Sequence, residues 1–188
     1  TNQWKRPIYL AVTVPDQLGL EKRLSLEGLV FRVNSAEVGE RTVDVPKTLS
    51  NLYKVFKYDG LLNRNRDYDT TVYKDENAYK LVQNYSAAHV QVAYRLQQAD
   101  RTEDAIPILR DAVKMTPDFP GLLEYLGKSY QDVGDTAEAE RLFSEGLRRF
   151  PNSAEFHYHL GATHFQQGRR EGRPDLTERG IAELKRAC

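Results

Sequence analysis

The chain is poor in the residues that staple a fold or carry chemistry. Its 188 residues hold a single cysteine, Cys188, at the last position. One cysteine forms no internal disulfide, so packing and hydrogen bonds must hold the fold, and the redox compartment is left open. Tryptophan and methionine occur once each. No apolar run approaches the roughly 18–20 residues that span a bilayer, and low-complexity segments are absent. Excess charge is missing too: Lys+Arg and Asp+Glu both number 27. That balance argues against nucleic acid or an anionic membrane surface as the main partner. No GxSxG, HExxH, P-loop or GxGxxG pattern is present, so the common hydrolase, metalloprotease and nucleotide-binding chemistries lack their signatures. No cofactor is implied.

What the chain has is internal periodicity. From Pro120, Leu123, Leu126, Gly127 and Tyr130 fall on one predicted helix, Ala139, Phe143 and Gly146 on the next, and Pro151 closes the unit. One period earlier stand His89, Val92, Ala93, Leu96, Ala105, Leu109, Ala112 and Pro117; one period later stand His157, Leu160, Gly161 and His164. The period of about 34 residues and these positions resemble the tetratricopeptide (TPR) repeat, a helix–turn–helix unit. Gly127 and Gly161 sit where paired helices cross closely, with Ala105 and Ala139 on the facing helices. Pro117 and Pro151 end one repeat and set up the next. Asp100 with Glu103, and Asp135 with Glu138, have capping-box spacing. The expected repeats are 86–119, 120–153 and 154–188. The third needs an insertion of about seven residues near 169–175, where Arg169, Arg170 and Arg173 predict a basic, solvated loop.

Upstream, Ala78, Leu81, Val82, Tyr85, His89, Val92 and Leu96 keep a 3.6-residue period. One long helix over 75–98 follows, with Asp75 as its N-cap. In residues 1–74 the pattern changes to a small α+β module. Strands are expected near 8–14, 24–33 and 41–45, and a helix over 46–57. The first strand, IYLAVTV, is apolar on both faces, which predicts burial on both sides. In the second the apolar phase flips at Gly28, which predicts a β-bulge. RTVDV reads as the return strand of a hairpin. Such a module is too small to bury much alone and is expected to pack on the long helix. The fold class is therefore mainly α: TPR-like helix pairs in an α–α superhelix, preceded by a small α+β module with a short sheet.

Four segments of the first hundred residues, WKRPIYLAVTV, LGLEKRLSLEGLVFRVN, VDVPKTLSNLYKVFKYDGL and VYKDENAYKLVQNY, together resemble one family. It is the C-terminal soluble part of bacterial multi-spanning membrane proteins similar to protein O-mannosyltransferases. The most specific pieces are Trp4-Lys5-Arg6-Pro7-Ile8-Tyr9 and Leu26-Glu27-Gly28-Leu29. The resemblance implies an extracytoplasmic, periplasmic tail close to a membrane, behind a membrane-embedded glycosyltransferase domain that holds the catalytic acid. A start on Thr1 with no Met fits a tail cut from a longer chain. No catalytic residue carries over. The repeats stand nearer the TPR pattern than the resemblance implies, which keeps a stand-alone, cytoplasmic TPR adaptor as the alternative.

TPR first helices line a concave face, and their non-packing positions point into it. Here those are Tyr94 and Gln97 in the first repeat, Glu124, Lys128 and Gln131 in the second, and Tyr158, Ala162 and Phe165 in the third. This aromatic and amide mixture lacks the Lys/Arg cluster that clamps a carboxylate terminus. The expected occupant is a protein: an extended peptide or a neighbouring helix. The sequence carries no signal for an oligomeric state. His157, His159 and His164 have no Cys or carboxylate at ligand spacing, so packing or surface roles are expected and not a metal. Asp67 and Asp69 read as Asx-capped turn residues. Trp4 is expected to anchor the first strand.

Overall fold

Turn chemistry in the first half builds a small four-stranded sheet. The computed structural model describes residues 6–13, 19–39 and 42–188. The expectations for Trp4, Lys5, Val14 and Arg41 fall outside the described residues. The chain divides into two compact units, Thr1–Thr116 and Pro117–Cys188. It is mainly helical, as its periodicity predicts, with a small sheet near the N-terminus.

In the first unit the strands are β1 (Ile8–Ala11), β2 (Leu24–Leu26), β3 (Val30–Val33) and β4 (Thr42–Val43), in the order β1-β3-β2-β4. The expected single strand over 24–33 is in fact two. Leu26 pairs with Phe31 across an antiparallel hairpin, and the amide of Glu27 donates to Val30 O at 2.9 Å. Gly28 is the tip of this turn, with φ +92°. A reversal flips the apolar phase as a bulge would, and glycine alone takes that backbone without strain. β4 is also not a hairpin return, since it runs parallel to β2, with Leu26 beside Val43. β1 is not buried on both sides. Among the described residues it pairs only with β3, and Ile8 and Tyr9 are about half exposed.

Asp44 caps α1 (Val45–Ser50) by accepting from the Lys47 amide at 2.9 Å. The expected helix over 46–57 then widens into a π-helical turn, Asn51–Val55, and stops at Phe56, whose backbone is extended. Thr48, fully buried, ties this segment to the hairpin. Its hydroxyl donates to Leu26 O at 2.9 Å and accepts from the Gly28 amide at 3.1 Å. Asp75 caps α2 (Glu76–Gln98) through the Ala78 amide at 2.8 Å. Leu52 and Leu62 from the module join Val82, Tyr85 and Ala88 of α2 and Met115 of α3 (Thr102–Met115) in one core. The module thus borrows the long helix to complete its interior, as its size requires.

Asp100 does not cap α3. It adopts a left-handed backbone, φ +57°, and its amide closes the end of α2 on Gln97 O. Gly134, 34 positions later, has φ +83° in the same role. The repeat equivalent of Asp135 is therefore Arg101, and the expected pairing of Asp100 with Glu103 was one residue out of register. Asp135 does cap, accepting from the Glu138 amide at 3.1 Å.

The second unit holds two helix pairs: α4 (Pro120–Asp132) with α5 (Thr136–Arg149), and α6 (Ala154–Glu171) with α7 (Pro174–Arg186). Close crossings form at glycine. A Cβ on Gly127 would lie 2.4 Å from the Phe143 ring, and one on Gly161 would lie 2.9 Å from both Gly180 O and Leu184. The two glycines are 34 residues apart and their partners Phe143 and Leu184 are 41 apart, so seven extra residues lie in the last pair. They do not form the expected basic loop. Most lengthen α6, which carries Arg169 and Arg170 in its last turn and ends at left-handed Gly172.

Candidate interaction surface

The histidines of α6 fix its place in the second unit. His157 Nδ1 lies 2.6 Å from Glu183 on α7, His159 Nε2 lies 3.0 Å from Glu124 on α4, and His164 Nε2 lies 3.0 Å from Glu140 on α5. Each ring meets a different carboxylate from a different helix. Among the described residues no three His, Cys, Asp or Glu side chains gather as a metal site.

Between α4, the start of α5 and α6 opens a cleft of 480 Å³. Gln131, Asp132 and Thr136 form one wall; Tyr158, His159, Ala162, Thr163, Gln166, Gln167 and Arg170 form the other. The i, i+4, i+8 spacing of Tyr158, Ala162 and Gln166 explains why one face of α6 supplies most of it. Small Ala162 leaves room beside Tyr158, which is 54% exposed. Gln131 Nε2 donates to Thr163 Oγ1 at 2.8 Å, which in turn donates to His159 O at 2.8 Å.

The residues expected on a binding face fare unequally. Gln131, Tyr158 and Ala162 line the cleft. Glu124 is held by His159 beside it. Lys128 is exposed on α4 but does not line it. Phe165 is half-buried outside it, with the Arg169 guanidinium 6.0 Å from its ring centre. Tyr94, 52% exposed, and Gln97 lie on α2 in the first unit. The sequence reading missed Asp132, Thr136, His159, Thr163, Gln166, Gln167 and Arg170 as members of this face. Their signal was available at the C-terminal ends of α4 and α6, where the lengthened α6 extends the wall by a turn.

The first unit carries a second polar cluster. Arg66, with φ +64°, stacks its guanidinium 4.6 Å from the Tyr53 ring centre and 4.9 Å from that of Tyr58. The Tyr53 hydroxyl donates to Asp111 at 2.7 Å, and its ring meets buried His89 edge-on. Burial pushes the Tyr58 hydroxyl up to about 12 and holds His89 below the usual histidine range. Among the described residues Arg66 Nε and Nη2 have no hydrogen-bond acceptor, which fits a cation held against two ring faces. This cluster locks a loop. Asp67 and Asp69 sit in that loop: the Asp67 amide donates to Asn63 Oδ1, and Asp69 Oδ1 accepts from the amide and hydroxyl of Thr71, which hold its carboxyl below the usual range.

Residues 125–172 match a tetratricopeptide repeat family model, spanning most of α4, all of α5 and α6. No curated protein sequence matches the chain. Among solved structures, a crystal structure of MamA aligns at 16% identity and TM-score 0.46, covering 59% of this chain and 65% of that one. The chain thus spans less than two thirds of the length of that neighbour. A second, MamA MSR-1, aligns at 14% identity and TM-score 0.43, covering 77% of this chain and 89% of that one. The helical repeat is of the tetratricopeptide type over residues 125–172. Among the described residues, no helix is long and apolar enough to cross a membrane.

Proposed function

We propose that the chain is a non-catalytic protein-interaction module that takes an extended peptide segment of a partner into the cleft between α4 and α6. The observation that carries this reading is the cleft itself: 480 Å³, walled by amide side chains and an exposed tyrosine. Glutamine amides can bond the alternating donors and acceptors of an extended backbone, and tyrosine adds area at low entropic cost. A helical repeat scaffold presents such a surface without needing a reaction centre. The finer context, a periplasmic tail of a membrane glycosyltransferase-like protein, rests on the pattern of the first hundred residues. A stand-alone adaptor is the alternative. Ten or more apolar spans encoded upstream of Thr1 support the tail; a nearby start codon with no such block supports the adaptor.

The test is site-specific photo-cross-linking in the source cell, with benzoylphenylalanine at position 158 or, as control, at exposed position 179 on α7. The reading expects discrete adducts from 158 and none of the same mass from 179. No adducts from 158, in a chain that melts like wild type, would overturn it.

A further inference from the structure

The cleft is also polarised, because the Gln131 amide cannot turn. Thr163 spends its single hydroxyl proton on His159 O, a carbonyl that only accepts. Its oxygen can therefore only accept from Gln131, so the Gln131 amide must present Nε2 to Thr163. Gln167 Nε2 donates to the Glu171 carboxylate at 3.1 Å, which also only accepts. Gln131 thus presents Oε1 to an occupant, while the Gln167 bond runs along the exposed side of α6. Asp132 adds a carboxylate, and Tyr158 an exposed ring face. The opposing charge, Arg170, also lines the cleft and has Glu171 3.7 Å away. His159 faces Glu124.

An oriented amide oxygen, a carboxylate and a ring face all favour a ligand that donates hydrogen bonds and carries positive charge. We infer that the cleft selects an arginine side chain of the bound peptide. Guanidinium has five donors and no acceptor, stacks on aromatic faces, and sheds water more easily than ammonium. An acidic or C-terminal carboxylate ligand would instead meet the Asp132 carboxylate and the Gln131 oxygen, with Arg170 already beside Glu171. The inference rests on the cleft being the peptide site.

The experiment is an amide NMR titration of the full chain with three probes: acetyl-Gly-X-Gly-amide in which X is arginine, citrulline or glutamate. Citrulline keeps the shape of arginine but loses the charge. Arginine should move the side-chain amide signals of Gln131 and Gln167 and backbone signals over 158–170, with apparent affinity at least about fivefold above citrulline and glutamate. Asp132→Asn should cut that preference severalfold. Asp118→Asn, the same change at an exposed position outside the cleft, should leave it intact. Equal response to all three probes at these signals would overturn the arginine inference while the peptide site stands. Glutamate bound best would do the same. Cleft signals unmoved by every probe would overturn the arginine inference; the peptide reading would then stand or fall on the cross-linking result at position 158.

Discussion

Gly127→Ala sets two known effects against each other, and the geometry decides the sign. Alanine is favoured over glycine within a helix by about 1 kcal/mol. Against that, the new Cβ would sit 2.4, 2.8 and 3.0 Å from three ring atoms of Phe143. Phe143 is fully buried, and His159 stacks against it with ring centres 5.1 Å apart and planes 17° apart. The ring is therefore held from both sides and cannot simply swing away. Overpacking of this kind costs about 1–3 kcal/mol, and contacts this short belong at its upper end. The net expectation is destabilisation by about 1–2 kcal/mol. Gly121→Ala is the control on the same helix, because its Cβ would meet only the Phe119 side chain at 3.3 Å. It should be neutral or stabilising. Both variants, and Gly127→Ala combined with Phe143→Leu, would be compared by urea unfolding followed by circular dichroism. The smaller side chain at 143 should recover about 1 kcal/mol of the loss, as a coupling between touching residues. Equal, stabilising behaviour of both alanine variants would refute the close crossing at Gly127.

Gly180→Ala should cost at least as much as Gly127→Ala, about 2–3 kcal/mol, because its Cβ would meet backbone at 2.6–2.9 Å and no rotamer can relieve that; a melt unchanged from wild type would contradict it. Thr48→Val strands the buried Gly28 amide, while Leu26 O keeps the Asp44 amide at 3.0 Å, and should lower stability by about 1–3 kcal/mol in the same unfolding assay. Burial holds His89 below its ordinary 6.5, so the unfolded chain binds this proton more readily than the folded one. Its contribution is therefore complete above about pH 6.5 and declines as pH falls below that value. His89→Gln should flatten the loss of melting temperature between about pH 7 and 5.5, measured against wild type.

The helical half was legible because each diagnostic position has one steric job. Small residues at 127, 139 and 161 mark crossings, and prolines at 117 and 151 mark ends. Spacing carries that information directly. The sheet was harder because its decisive features are local backbone geometry. At Gly28 a bulge and a hairpin turn reverse the apolar phase alike, and only pairing partners tell them apart. Asp100 reads as a cap by residue type, yet its position demands the left-handed turn that glycine fills at 134. Gln131, Tyr158 and Ala162 followed from the repeat register. Arg170 did not, because the added residues near 169–175 were expected to form a loop, and Asp132, Gln166 and Gln167 lie outside the positions the register assigns to the concave face. A loop carries no wall, whereas the extra length of α6 does.

The central claim is that the α4–α6 cleft is the surface that holds a partner. Its most direct test is the affinity of the partner captured by cross-linking, once purified, for wild type and for Tyr158→Ala with Gln166→Ala. Both side chains are exposed, so the double variant should melt as wild type does. The account predicts at least a tenfold weaker dissociation constant, since an exposed aromatic in a binding cleft commonly carries more than about 1.4 kcal/mol. Equal affinity for the two chains would contradict it.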